Sequence, residues 1–118
     1  MSETADDLNE ANRDVILRLI ADGDDLSKAR DIDFTVVFPN GAAAEEFASK
    51  LRQEGYAASV DESDTAEGLP WDVVVVKHML PICEAITEFQ LSLQAEALSL
   101  GGRNDGWGCF AQKPSNQH

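Results

Sequence analysis

Apolar residues recur along the chain at helical spacing in three segments and at strand spacing in four. Over residues 5 to 22, Leu8, Ala11, Val15 and Leu19 fall within an arc of about 80° at 100° per residue, and Ile16 and Ile20 widen the stripe. Gly23 is the expected stop of this helix. After the polar connector DDLSKARD, the run DIDFTVVF puts Ile32, Phe34, Val36 and Phe38 on one face of a strand by strict alternation. Asn40 is placed to cap a helix over residues 41 to 54, with Ala44, Phe47, Ala48 and Leu51 on its buried side and Gly55 as its stop. Tyr56 to Val60 reads as a short strand, and residues 61 to 69, DESDTAEGL, as an exposed, flexible loop. Val73 to Val76 is an unbroken β-branched run, which predicts a strand buried on both faces. Pro81 suits the first turn of a helix over residues 81 to about 100, stopped by Gly101 and Gly102, and NDGWGCFAQ is the last strand.

After the first helix the order is strand, helix, strand, strand, helix, strand. This predicts an α+β fold of the ferredoxin-like, split β-α-β kind: a four-stranded antiparallel sheet with an extra N-terminal helix. DIDFTVVF and WDVVVV are the most apolar strands and belong in the middle, whereas YAASV and GWGCFA suit the edges. The expectation is a single domain over residues 1 to 118, with its core at 31 to 111 and a short disordered tail at 112 to 118. The long helix carries two apolar stripes, one through Ile82, Ile86, Phe89, Leu93, Ala97 and Leu100 and one through Leu91, Ala95 and Leu98. The N-terminal helix is expected to cover the second stripe, leaving a monomer; a second chain is the alternative. In the last strand, alternation sets Gly106 and Gly108 on the face of Phe110, and Trp107 and Cys109 on the other. The glycine pair permits close approach of a backbone or ring, or a bulge.

Charge narrows the function classes. The chain holds 22 acids and 9 bases, a net of −13, and residues 1 to 72 account for −12 of it. Such a surface repels nucleic acid, which is bound through clustered Lys and Arg. The bases here are scattered singly among acids, so no direct nucleic-acid contact is expected, although Trp71 or Trp107 could supply a stacking ring. No apolar run approaches the roughly 18 residues of a membrane span. The opening MSETADDLNE has acids where a secretory signal would be basic and apolar, so a cytoplasmic location is expected. Cys83 and Cys109 then read as reduced, packed thiols.

Catalytic and cofactor chemistry find little support. His78, Cys83 and Cys109 lack metal-ligand spacing, and Cys83 has no base or orienting group nearby in sequence. ADGDD at residues 21 to 25 resembles the start of a calcium loop, but Leu26 and Ser27 stand where a ligand and a glycine belong. No phosphate-binding glycine pattern follows a strand. No enzyme, metal or cofactor is expected.

Three segments together resemble the family of regulators of ribonuclease E activity B. They are FTVVFPNGAAAEEFASKLRQEGYAASV at residues 34 to 60, the Val-rich strand leading into the long helix, and above all GGRNDGWGCF at residues 101 to 110. The resemblance implies a small acidic, non-enzymatic protein that binds ribonuclease E, chiefly through that enzyme's disordered basic scaffold region, and changes its activity. Well-known members continue into a long acidic tail, where this sequence has AQKPSNQH. Candidate protein contacts are Asp22, Asp24 and Asp25 in the connector, Asp61, Glu62, Asp64 and Glu67 in the loop, and Asp105 with Trp107 in the last strand. The alternative is a small-molecule-sensing regulatory domain with an apolar cleft near Trp107, Tyr56 and His78, since one fold hosts many functions.

Overall fold

A computed structural model describes residues 5–62 and 68–109. Along them run α1 (Ala5–Ala21), β1 (Arg30–Phe38), α2 (Gly41–Gln53), β2 (Ala57–Glu62), β3 (Trp71–Met79), α3 (Cys83–Leu98) and β4 (Arg103–Cys109). The strands form one antiparallel sheet in the order β2-β3-β1-β4, the split β-α-β arrangement, with the two most apolar strands at its centre. The tail expected at residues 112 to 118, the loop acids Asp64 and Glu67, and Phe110 lie outside the described residues.

Alternation decides which side of the sheet is dry. Ile32, Phe34, Val36, Phe38, Val73 and Val75 are fully buried against Ala44, Phe47, Leu51, Ile86, Leu93 and Ala97 of α2 and α3. Full burial of each large apolar side chain stabilises by roughly 1.5–3 kcal/mol. Phe34 meets Phe89 edge-on at 4.7 Å and Phe38 meets Phe47 at 5.0 Å, ring-centre to ring-centre. Gly102 suits this packing, because a Cβ there would clash with the edge of the Phe38 ring. The other face, presented by Asp31, Asp33, Thr35, Val74, Val76 and His78, carries no helix among the described residues, although Val37 on it is fully buried.

Helix ends follow local chemistry. The Asn40 side chain accepts from the Ala43 amide at 2.8 Å, the expected cap of α2. Pro81 differs from expectation. It precedes the helix, because Ile82 stays extended (φ −101°, ψ 124°) as an N-cap without a side-chain bond, and α3 starts at Cys83. The loop expected from residue 61 does not begin there. Asp61 and Glu62 pair with Asp72 and Trp71 and so continue β2.

The largest difference concerns α1. It was expected to lie over Leu91, Ala95 and Leu98, yet Ala95 is exposed and Leu98 is 66% exposed. Instead α1 sits on the polar stripe of α3: Cys83 donates to the Asn9 carbonyl at 3.3 Å, and Asn12 bonds both Thr87 and Gln90. Those directional bonds set the rotation of α1, so Leu8, Asn12 and Ile16 face inward while Ile20 is 51% exposed.

Candidate functional site

The motif Asn104 to Trp107 lies within β4 and joins the sheet to α1. Between Thr35 and Val36 of β1 the pairing shifts by one residue: Thr35 faces Gly106, Val36 faces Asn104, and Asp105 is left as the extra, exposed residue of a bulge. Gly106 takes φ +120°, which a side chain would strain. The bulge turns the half-buried Trp107 to the helix-covered face, where it packs on the core. Its indole N–H donates to the Asn12 Oδ1 at 2.8 Å.

Asn12 is the hub of a buried polar network. It is 3% exposed, accepts from Trp107, and donates to the Thr87 hydroxyl at 2.9 Å and the Gln90 side-chain oxygen at 2.8 Å. Gln90 in turn donates to the Asn104 side chain at 3.5 Å, and the Asn104 amide donates to Gln94 at 3.2 Å. Three elements with no shared backbone bonds are thereby tied at one place, and in a low-dielectric interior such directional bonds specify one arrangement. An open groove of about 380 Å³ borders the network, with Leu8, Ala11 and Val15 on one wall and Asp105, Gly106 and Trp107 on the other.

The candidate acids fall into separate environments. Asp22 is exposed in the turn after α1. Asp24 is a correction to the expected contact set: its carboxylate is fully buried and pairs with Arg30 at 2.8 Å, with both side chains no more than 1% exposed. Burying a charge is tolerable only with such a partner, so Asp24 folds the connector inward around Arg30. The same guanidinium donates to the carbonyls of Asp25 and Lys28 at 2.9 and 3.0 Å. Asp25 remains at the surface, accepting from the Ser27 hydroxyl (2.6 Å) and amide (3.0 Å). Those bonds, the hydroxyl first, hold its carboxyl below the usual carboxylate range. Asp61 and Glu62 are exposed on the edge strand β2, and Asp105 is exposed on the opposite edge.

The residues of the imagined sensing cleft do not converge. Trp107 belongs to β4 and Tyr56 leads into β2, so two strands separate them; Tyr56 packs on Phe89, 5.4 Å away. His78 lies on the opposite face, 67% exposed, with Nδ1 3.0 Å from the Asp31 carboxylate. A second open groove, about 440 Å³, lies between Lys77 and α3, and the Lys77 ammonium stands 5.0 Å from the Phe89 ring centre. Cys83 is a free, half-buried thiol against α1 and is not brought to His78. Sequence reasoning missed Asn12, Thr87, Gln90 and Asn104. The available signal was Asn12, a polar residue inside the apolar stripe of α1, one turn from Leu8 and Ile16.

Fold and surface together define the class: a small α+β domain of the split β-α-β type, strongly acidic, with an additional helix clamped to its edge strand. Among the described residues no helix is long and apolar enough to cross a membrane. From the α1 residue that meets Cys83 to the end of β4, residues 9–109, the chain matches the family Regulator of ribonuclease activity B, and it belongs to that family. No curated protein matches the chain.

Proposed function

We propose that this regulator is non-enzymatic, acts in the cytoplasm, and binds ribonuclease E through that enzyme's basic, unstructured region, so modulating RNA degradation. Family membership carries the reading to ribonuclease regulation. The net charge of −13 supports a cationic polypeptide, not RNA, as the molecule touched. Asp22, Asp25, Asp61, Glu62 and Asp105 are all at or near the surface, where opposite charge steers approach and sets orientation. The loop acids Asp64 and Glu67 belong to the same proposed set.

The test is titration of purified ribonuclease E with the chain at several salt concentrations. Affinity should fall steeply between about 50 and 200 mM salt as the fields are screened. Neutralising Asp61, Glu62, Asp64 and Glu67 together should slow association more than it speeds dissociation. Absence of binding at low salt refutes the proposal. Binding unchanged across the range removes its electrostatic basis.

A further inference from the structure

We propose that the helix-free face of the sheet is the docking surface, and that its occupant is a cationic amphipathic helix. The inference rests on the reading of the chain as a binder of basic polypeptide and assigns that binding to a place.

Cross-strand pairing lays out this face in rows. Ser59, Val74, Thr35 and Gly106 form the central row. On one side lies the row Asp61, Asp72, Val37, Arg103, and on the other Ala57, Val76, Asp33, Gly108, followed by His78 with Asp31. The middle of the face is therefore small or β-branched, with Thr35, Val74 and Val76 half-buried; exposed Asp61 stands on one side and exposed Asp33 and Asp31 on the other, while the corner at Val37, fully buried beside Asp72 and the exposed Arg103, is already closed. Sheets of this kind bury both faces only when a second layer covers them.

Gly108 adds an independent observation. A glycine inside a strand weakens it, yet Gly108 has no positive φ, and a Cβ built there would meet nothing within 4 Å. Nothing within the described chain requires glycine at this position. The bare backbone there leaves room for a bulky partner to lie across the edge of the face.

Geometry favours a helix over a strand as occupant. Backbone amides and carbonyls of the two inner strands are committed to ladders on both sides, so this face offers side chains, not backbone, to a partner. An added strand would need an edge. The Asp61 and Asp33 rows are four residues apart along β3, about 13 Å, and a helix with side chains is about 10–12 Å across. A helix seated on Val74, Val76 and Thr35 thus has room for Lys or Arg side chains to reach Asp61 on one flank and Asp33 and Asp31 on the other. Four strands span about 14 Å, enough to seat roughly three turns.

The experiment uses the whole chain and two ligands: purified ribonuclease E, and a synthetic 20-residue helix with Leu on one face and Lys and Arg elsewhere. Asp33→Lys with Asp61→Lys should weaken both by about tenfold or more at low salt. Glu46→Lys with Glu54→Lys, an equal charge change on exposed positions of α2 and its end, should change either less than about twofold. Amide shifts on adding the synthetic helix should centre on Val74, Thr35 and Gly108, and Gly108→Leu should weaken binding with an unchanged melting temperature. Equal weakening by both charge pairs, shifts confined to the edges or to the α1 groove, or a homodimer that covers this face overturns the assignment. Capture of ribonuclease E that ignores Asp33→Lys with Asp61→Lys refutes the docking face and leaves the proposed function standing. A synthetic helix bound on this face by a chain that ignores ribonuclease E does the reverse.

Discussion

Replacing Asn12 by Ala tests whether the polar clamp, and not apolar contact alone, holds α1 in place. The substitution removes the acceptor of the Trp107 N–H and the donor to Thr87 and Gln90, which are 4% and 2% exposed. Each buried polar group left without a partner costs about 1–3 kcal/mol. Water from the adjoining groove can reach the half-buried indole N–H and reduce that share. The expected loss is therefore about 2–4 kcal/mol, a fall in melting temperature on the order of 10 °C for a domain of this size. Trp107→Phe alone should cost about 1–2 kcal/mol, chiefly by stranding the Asn12 oxygen. Since both changes break the same bond, the double variant should cost less than the two single losses together, by about 0.5–1.5 kcal/mol. Urea unfolding followed by circular dichroism gives all four corners of the cycle, and hydrogen exchange should show α1 amides losing protection before those of β1 and β3. Additivity to within about 0.3 kcal/mol, or an Asn12→Ala loss below about 0.5 kcal/mol, would refute the clamp.

Two further outcomes follow from the packing. Gly102→Ala drives a Cβ into the Phe38 ring and should destabilise by about 1–3 kcal/mol or more, whereas Gly108→Ala, built into open space, should be neutral or slightly stabilising; equal melting shifts for the two would contradict the geometry. Arg30→Met leaves Asp24 charged and alone in the interior and should cost about 3–5 kcal/mol, while Arg30→Met with Asp24→Leu should recover most of that loss; a double variant no more stable than the single one in urea would show that the pair is not the issue.

The sequence by itself determined the strands, their order and the dry side of β1, because period-2 and period-3.6 spacing record local burial directly; β3, expected to be buried on both faces from its unbroken valine run, is only half-buried at Val74 and Val76. Ile32, Phe34, Val36 and Phe38 had to share a face, and Asn40 could cap α2 using atoms three residues away. It also determined the family, through the residues around Trp107, and the sign of the surface. Only the tertiary structure decided which acids remain at the surface. Asp24 and Asp25 are adjacent in sequence, yet one is sealed against Arg30 and the other stays outside, since the path of the connector depends on a guanidinium five to six residues away. The seat of α1 was equally hidden. Hydrophobic spacing pointed it at Leu98, but hydrogen bonds among Asn12, Thr87, Gln90 and Trp107 are directional and join residues up to 95 positions apart, so they set a rotation that no local pattern encodes.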